Sequence, residues 1–384
     1  MKPSRWEIAA AFTKAAAALR VTHLARASML DRAGGVEGLP LYLKEADDES
    51  VPCREMYRLY SACLSSFKAE CAARKPEESG VTAVTDKDYP ARLLQIDQAP
   101  AVLFWRGTGL DALQGDFVVT VIGSRTPSFY GLEVTRRLCG QLVGRGVTIV
   151  SGGARGIDGQ AHMSALAAGG PTFAVLGCGV DIVYPKEHHR LFDQIARSGA
   201  ILSEYYPGTP PRRHHFPARN RILAGLSDAV LVTEASASSG TLITAGFAAD
   251  QGRDVCAVPG SILSGTSRSC HDLIRDGAVI VERADDIPRI PAERHETADM
   301  IPGDNHAENA AVLRKGYSDS DSRGKAGGHE ARILNILEAA PLTLAAIAAN
   351  SGLSLRTAAL SLAVLQSKKL VCLHRGLYTR TFNR

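Results

Sequence analysis

The fold is decided by residues 117–160, FVVTVIGSRTPSFYGLEVTRRLCGQLVGRGVTIVSGGARGIDGQ. Two apolar runs rich in β-branched residues, 118–122 and 146–150, are each followed by a loop of small residues and then by a helical pattern. This repeat predicts two successive strand–loop–helix units of a parallel sheet. Both loops would leave the sheet at the carboxyl edge of its strands, where open α/β sheets bind their ligands.

The two loops combine small residues with one arginine each. Together they contain Gly123, Ser124, Arg125, Ser151, Gly152, Gly153 and Arg155. Glycine lets backbone N–H groups approach an anion, a helix start supplies partial positive charge, and arginine adds a planar fork of donors. We therefore expect both loops to bind phosphate, the second as an anion nest. The alternatives are a helix-capping arginine in the first loop and a simple tight turn in the second.

Other sequence features limit the chemistry of these loops. Neither loop contains the Gly-Lys-Ser/Thr of a Walker A motif or the GxGxxG of a dinucleotide site, so we expect no cofactor. The chain has 384 residues, 45% of them hydrophobic, and a formal net charge of only +4. Its eight cysteines form no CxxC pair, which disfavours a zinc site and a disulfide framework. We expect a soluble cytoplasmic protein with no metal site and no membrane segment.

The pattern along the chain indicates four regions. Residues 1–75 read as a small helical domain, and strands alternate with helices over 81–287. That alternation predicts a doubly wound parallel sheet. Residues 288–328 are polar and rich in Pro, Gly, Asp and Ser, which is typical of a linker. Residues 329–384 show a helix–turn–helix pattern followed by a strand pair, so we expect a winged helix there.

A third loop, residues 207–221, is strongly basic. It contains Arg212, Arg213, Arg219 and Arg221, with His214, His215 and Phe216 among them, and no carboxylate. Basic residues interleaved with an aromatic ring suit single-stranded nucleic acid, because arginines hold the backbone while the ring stacks on a base. The alternative is that Phe216 packs in the core while the arginines form a solvated face. A metal site at the adjacent histidines is disfavoured, since no partner motif follows them.

A fourth segment, residues 233–241, joins a strand end to a helix start. Ser239 and Gly240 could bind phosphate at that helix N-terminus. Glu234 is expected to pair with an arginine of the site rather than to act as a catalytic carboxylate, because no nucleophile–base pair accompanies it. We therefore predict no catalytic residue.

These segments together resemble the DNA-processing protein A family (DprA, also called Smf). The resemblance extends from about residue 89 to residue 287. Its main carriers are Gly123-Ser124-Arg125, Ser151-Gly152-Gly153-Ala154-Arg155-Gly156-Ile157-Asp158, Tyr184-Pro185, Phe216-Pro217-Ala218-Arg219-Asn220-Arg221-Ile222 and Ser239-Gly240-Thr241.

The resemblance implies an extended Rossmann-like domain between a small helical (SAM-like) N-terminal domain and a C-terminal winged helix. It implies a non-enzymatic homodimer that binds single-stranded DNA, protects incoming strands and loads the RecA recombinase during natural transformation. Arg125 corresponds to the family's phosphate-contacting arginine, Arg213 stands where a basic residue is usual, and Phe216 matches the ring that contacts a base. The expected DNA-binding residues are Gly123, Ser124, Arg125, Ser151, Gly152, Gly153, Arg155, Arg213, Phe216, Arg219, Asn220, Arg221, Ser239 and Gly240.

Two alternative functions belong to other classes of protein, an enzyme and a regulator of duplex DNA. One is a nucleotide phosphoribohydrolase of the lysine-decarboxylase-like (cytokinin-activating) fold, which would release adenine from AMP. Residues 234–241 lack the double glycine and trailing glutamate of that family's loop. The other is a winged-helix regulator that binds duplex DNA mainly through residues 329–384.

Overall fold

The computed structural model describes most of the chain in two compact units, Met1–His295 and Glu296–Arg384. The described residues are 3–45, 53–70, 78–115, 117–237, 239–292, 328–339, 342–353, 355–367, 370–374 and 377–380. Most of the predicted linker, residues 293–327, lies outside them.

A nine-stranded sheet forms the centre of the N-terminal unit. Its strands are β1 (Ser79–Ala83), β2 (Val102–Gly107), β3 (Val118–Ile122), β4 (Thr148–Ser151), β5 (Thr172–Val175), β6 (Ala200–Ser203), β7 (Ala229–Val232), β8 (Asp254–Ala257) and β9 (Val279–Ile280). Their spatial order is β1-β2-β6-β5-β4-β3-β7-β8-β9. All neighbours from β6 to β9 pair in parallel, whereas β2 runs antiparallel to both β1 and β6. The predicted doubly wound, Rossmann-like sheet is confirmed, with an antiparallel edge added to it.

Ten helices surround this sheet among the described residues of the N-terminal unit. They are α1 (Arg5–Ala18), α2 (His23–Arg32), α3 (Leu39–Glu45), α4 (Cys53–Glu70), α5 (Phe129–Gly144), α6 (Ile157–Ala167), α7 (His189–Ser198), α8 (His215–Gly225), α9 (Thr241–Asp250) and α10 (Arg268–Arg275). Short 3₁₀ turns occur at Val36–Gly38, Ala91–Gln95, Asp111–Gln114, Lys186–His188 and Ala284–Asp286.

The central strands have no solvent-facing side. Every residue of β3, β4, β5, β6 and β7 is buried. Helices cover both faces of a parallel sheet, which explains why these strands read as continuous β-branched runs rather than as an alternating pattern. The chain proceeds from β3 to β6 on one side and from β7 to β9 on the other, so the topological switch point lies between β3 and β7. A crevice is expected at the carboxyl ends of these two strands.

The N-terminal helices share a hydrophobic core with the sheet. Helix α1 begins at a capping box in which Ser4 accepts from the backbone of Glu7 and Glu7 accepts in return. Trp6 and Phe12 of α1 belong to the same buried cluster as Phe104 of β2. The rings of Trp6 and Phe104 meet edge to face, with 5.2 Å between their centroids. These helices therefore stabilise the β2 side of the sheet.

The C-terminal unit has its own small core. Helices α11 (Gly328–Ala339), α12 (Leu344–Ser351) and α13 (Leu355–Ser367) precede the antiparallel pair β10 (Val371–His374) and β11 (Leu377–Arg380). Ile333, Ile347 and Leu362 are fully buried within it. The turn at 375–376 lies outside the described residues, and the winged helix stays a prediction. None of the described helices of the chain combines the length and the apolar character that crossing a bilayer requires.

Candidate functional site

A cleft of about 580 Å³ lies where the switch point predicts it. It is formed by the loops after β3 and β7, the start of α8, and single residues of the loops after β4 and β5. Among the predicted site residues, its lining includes Gly123, Ser124, Arg125, Arg213, Phe216, Arg219, Asn220, Ser239 and Gly240. The predicted residues Ser151, Gly152, Gly153, Arg155 and Arg221 do not contribute to this lining.

The loop after β3 is clamped between its neighbours. The backbone N–H of Ser124 donates to the carbonyl of Glu234 at 2.7 Å, and Ile157 donates to the carbonyl of Ser124 at 3.0 Å. A Cβ at Gly123 would lie 2.7 Å from the Glu234 carbonyl oxygen and 2.6 Å from Cγ1 of Ile157, so only glycine fits. This packing fixes the loop and leaves the side chain of Arg125 exposed at the cleft.

Phe216 is half-buried and lines the cleft together with Arg125. The guanidinium carbon of Arg125 lies 5.8 Å from the centroid of its ring, within the range of a cation–π contact. Behind the ring the chain comes close at Gly177, where a Cβ would approach the ring at 3.1 Å. The ring therefore packs against backbone and also lines the cleft, while its contact with a base stays a prediction.

Tyr184 lines the cleft but was not among the residues expected to bind DNA. Its ring lies 5.7 Å from that of Phe216 at an angle of 44°, and it is 43% exposed. The loop after β5 brings it to the same sheet edge. Tyr184-Pro185 was one of the segments that carry the family resemblance, and this signal could have added Tyr184 to the expected site. The cleft thus presents two neighbouring rings beside Arg125.

Arg219 and Asp158 are both buried at the floor of the cleft, where their charges interact. Arg219 donates to the carbonyl oxygens of Gly152, at 2.9 Å, and of Val175. Burial lowers the pKa of Arg219 to about 10, opposed by the charge of Asp158, so the guanidinium stays charged at neutral pH. Burial likewise raises the pKa of Asp158, opposed by Arg219. Arg219 therefore orders the floor instead of extending into the cleft.

The glycine loop after β4 holds a carboxylate of this chain. The backbone N–H groups of Gly152 and Ala154 hydrogen-bond to Asp158, the latter at 3.3 Å. Ser151 is buried and its hydroxyl donates to the carbonyl of Val121 at 2.7 Å. An acidic residue in the first turn of the helix that follows a glycine loop is well placed to accept these donors. That local signal in the sequence could have identified the occupant of the nest.

Two of the predicted arginines have acidic partners within the protein. Arg155 is exposed and donates from Nε to Glu187. Arg221 is buried, and its Nη2 lies 2.8 Å from both carboxylate oxygens of Glu204. Arg221 also donates to the carbonyl of Gln98 at 3.0 Å. The structure thus brings Arg125 and Arg213 into the cleft, places Arg155 outside its lining and buries Arg221 in an ion pair.

The loop after β7 supplies polar groups at the start of α9. The hydroxyl of Ser239 accepts from the backbone N–H of Thr241 at 3.3 Å. The Thr241 hydroxyl in turn donates to the carbonyl of Gly123 at 3.4 Å, which ties this helix start to the loop after β3. The positive end of the α9 dipole therefore opens into the cleft beside Ser239 and Gly240.

The expectation that Glu234 pairs with an arginine of the site is wrong. The buried carboxylate of Glu234 accepts hydrogen bonds from the backbone N–H and the hydroxyl of Ser128, both at 2.7 Å. Ser128 is the N-cap of α5 and accepts from the N–H of Gly131 at 3.1 Å. A carboxylate at a helix N-terminus is stabilised by the helix dipole, so Glu234 anchors α5 to the end of β7.

The two histidines beside Phe216 have different surroundings. His215 is buried, stacks on Tyr205 with 4.0 Å between ring centroids, and has its Nδ1 3.0 Å from the carbonyl of Gly177. Burial lowers the pKa of His215. His214 is exposed. Over the described parts of the chain, His, Cys, Asp and Glu side chains form no cluster of three or more that could hold a metal ion.

Comparison with known proteins agrees with this arrangement. The family model described as DNA recombination-mediator protein A matches residues 80–290. The DNA processing protein DprA of Streptococcus pneumoniae is 47% identical over 205 residues, which cover 53% of this chain and 72% of that protein. Protein Smf of Escherichia coli is 46% identical over 236 residues, 61% of this chain and 62% of that protein. The chain thus spans somewhat less than two thirds of that relative.

A solved structure extends the likeness beyond the matched segment. The X-ray structure of DprA from Streptococcus pneumoniae superimposes with a TM-score of 0.60 and 36% sequence identity, covering 74% of this chain and 97% of that one. The family model alone covers more than half of the present chain, and the resemblance drawn from its motifs is confirmed. This chain belongs to the DNA recombination-mediator protein A (DprA/Smf) family.

Proposed function

We propose that this protein binds single-stranded DNA in the cleft and presents it to a recombinase. The observation that carries the proposal is the meeting of Arg125, Arg213 and Phe216 in one concave site at the switch point of the sheet. Two exposed guanidinium groups suit backbone phosphates, and the ring suits an unstacked base. Asn220, Ser239 and the start of α9 add neutral donors around them.

The shape of the site favours a flexible strand over a duplex. A cleft of about 580 Å³ is in the size range of sites that enclose a small ligand. A single strand can turn one nucleotide into such a site, whereas a duplex must first unstack and unpair a base at a cost of a few kcal/mol. Few side chains in the lining could read base edges, so binding is nearly independent of sequence and strongly dependent on salt.

Fluorescence anisotropy with a labelled single strand and its matched duplex tests this preference. We expect the single strand to bind at least about tenfold more tightly, because the duplex has to open before a base can enter the cleft. Equal or tighter binding of the duplex would contradict the proposal and would favour the C-terminal unit as the DNA-binding part.

The family supports a recombinase partner for this protein. A recombination mediator acts together with a recombinase, and the resemblance to DprA favours RecA as that partner. We infer a cytoplasmic homodimer that protects incoming single strands and loads RecA on them during natural transformation. Adding the protein should increase the amount of RecA on a single strand, measured by co-sedimentation. An unchanged RecA occupancy would exclude the loading role.

A further inference from the structure

An exposed ion pair joins two loops next to the cleft. Arg155 belongs to the loop between β4 and α6, and Glu187 to the 3₁₀ turn that precedes α7. The side chains are 60% and 49% exposed, and Nε of Arg155 donates to Oε1 of Glu187. The loop after β4 was expected to offer this arginine to phosphate, but in the free protein a carboxylate of the same chain holds it.

The pair lies at the rim of the cleft. Ala154, which precedes Arg155 in the chain, lines the cleft, and so does Tyr184 from the loop of Glu187. The ring Nδ1 of His188 lies 3.1 Å from the carbonyl oxygen of Gly153 and ties the two loops together. With the backbones tied in this way, only the two side chains need to move for Arg155 to reach a strand that enters the cleft.

The energetics favour an exchange of partners. Exposed ion pairs contribute only about 0–1 kcal/mol. Arginine binds phosphate through short, charge-assisted and often bidentate bonds, so a DNA phosphate is a strong competitor for a solvated carboxylate. The hydrogen bond to Glu187 raises the pKa of Arg155, and the same bond lowers the pKa of Glu187. Both groups are therefore fully charged near neutral pH.

We propose that Glu187 competes with the DNA backbone for Arg155 and thereby limits the affinity of the cleft for single strands. In the free protein Glu187 holds the guanidinium at the rim, and an arriving phosphate displaces it. The inference rests on the proposed DNA-binding function of the cleft. It assigns Arg155 as a latent phosphate contact and Glu187 as the residue that weakens it.

The exchange leaves a signature in salt dependence. When Arg155 moves from Glu187 to a phosphate, the released carboxylate recruits a cation, which offsets part of the counterion release from the DNA. Removing the carboxylate abolishes this offset. The slope of log K against log salt should then steepen by up to about 0.7, the value for one phosphate contact on a single strand.

A double-mutant cycle in the full-length protein tests the proposal. The variants are Glu187→Gln, Arg155→Gln and their combination, and the measurement is single-strand affinity over a salt series. We expect Glu187→Gln to bind about twofold to fivefold more tightly, which is the range that an exposed ion pair of up to about 1 kcal/mol allows, with the steeper slope. Arg155→Gln should have a small effect alone but should remove the gain when combined with Glu187→Gln. Asp254→Asn is the matched control, because it removes one negative charge at the amino end of β8, away from the cleft.

Three outcomes overturn the proposal. One is no gain from Glu187→Gln; another is a gain that persists without Arg155, which would mean that Glu187 only repels DNA through its charge. The third is an equal gain from Asp254→Asn, which would reflect net charge alone. Failure of the proposed function looks different, since the wild-type protein would then not bind the single strand or would bind it independently of Arg213.

Discussion

Replacing Glu204 with alanine is expected to lower the free energy of unfolding of the N-terminal unit by about 3–5 kcal/mol, because it leaves a buried guanidinium without its anion. The side chains of Arg221 and Glu204 are only 5% and 11% exposed, and they meet through two hydrogen bonds of 2.8 Å. Nδ1 of His23 in α2 lies 3.0 Å from Oε1 of the same carboxylate. Glu204 thus joins the N-terminal helices to α8, which contributes Phe216 to the cleft. Equilibrium denaturation measures the loss.

The same carboxylate gives stability a defined pH dependence. Burial alone would raise the pKa of Glu204, but the hydrogen bonds and charges of His23 and Arg221 outweigh it and lower that pKa to about 2. The ordinary value is 4.5, so the folded pKa is depressed. The stabilisation is therefore present above about pH 4.5 and is lost as the pH falls toward 2.

The comparison of wild type with Glu204→Gln isolates this contribution. The amide keeps the shape of the side chain but has no charge to lose, so its stability should fall less between pH 4.5 and 2 than that of the wild type. Glu133→Gln serves as a control, because Glu133 lies exposed on α5 beside Arg136. Parallel acid profiles for wild type and Glu204→Gln would show that the ion pair does not carry this stability.

Replacing Phe216 with alanine is expected to weaken single-strand binding by about 1–3 kcal/mol, the usual effect of removing one base-stacking ring. This corresponds to a dissociation constant higher by a factor of about 5 to 150. The ring lines the cleft between Arg125 and Tyr184, at 5.8 and 5.7 Å, so a base entering beside it would also adjoin a cation and a second ring. Titration of a labelled oligonucleotide gives the change.

Two further substitutions separate stacking from packing. Phe216→Leu keeps apolar bulk against Gly177 but removes the π-face, whereas Phe216→Tyr keeps the face. We expect tyrosine to preserve most of the affinity and leucine to lose most of it. If leucine binds as tightly as phenylalanine, the ring supports the loop and does not contact a base.

The parts of the fold that could be predicted are those with a strong local pattern. The buried runs of β3 and β4 and their small-residue loops identify parallel strands, and the switch-point rule then places Arg125 and Arg213 at one edge. The antiparallel direction of β2 has no such signal, because a short apolar strand reads the same in either direction. It depends on pairing with β6, which lies nearly a hundred residues away in the chain.

The site was predicted less completely because ion pairs depend on distant contacts. Glu204 precedes Arg221 by 17 residues and Glu187 follows Arg155 by 32, and neither spacing reveals that the charges meet. A basic loop without carboxylates of its own therefore looked more available to a ligand than it is. Glu234 shows the reverse case, since its partner Ser128 is a neutral helix cap that no charge pattern identifies.

The salt dependence of single-strand binding by the double variant Arg125→Ala/Arg213→Ala tests the central claim most directly. If both guanidinium groups hold phosphates in the cleft, the affinity falls and the slope of log K against log salt decreases by about 1.4, or 0.7 for each lost contact. Arg197→Ala is the control, because Arg197 is exposed in the last turn of α7, at the opposite edge of the sheet. A folded double variant with unchanged affinity and slope, or with no larger effect than Arg197→Ala, would contradict the account.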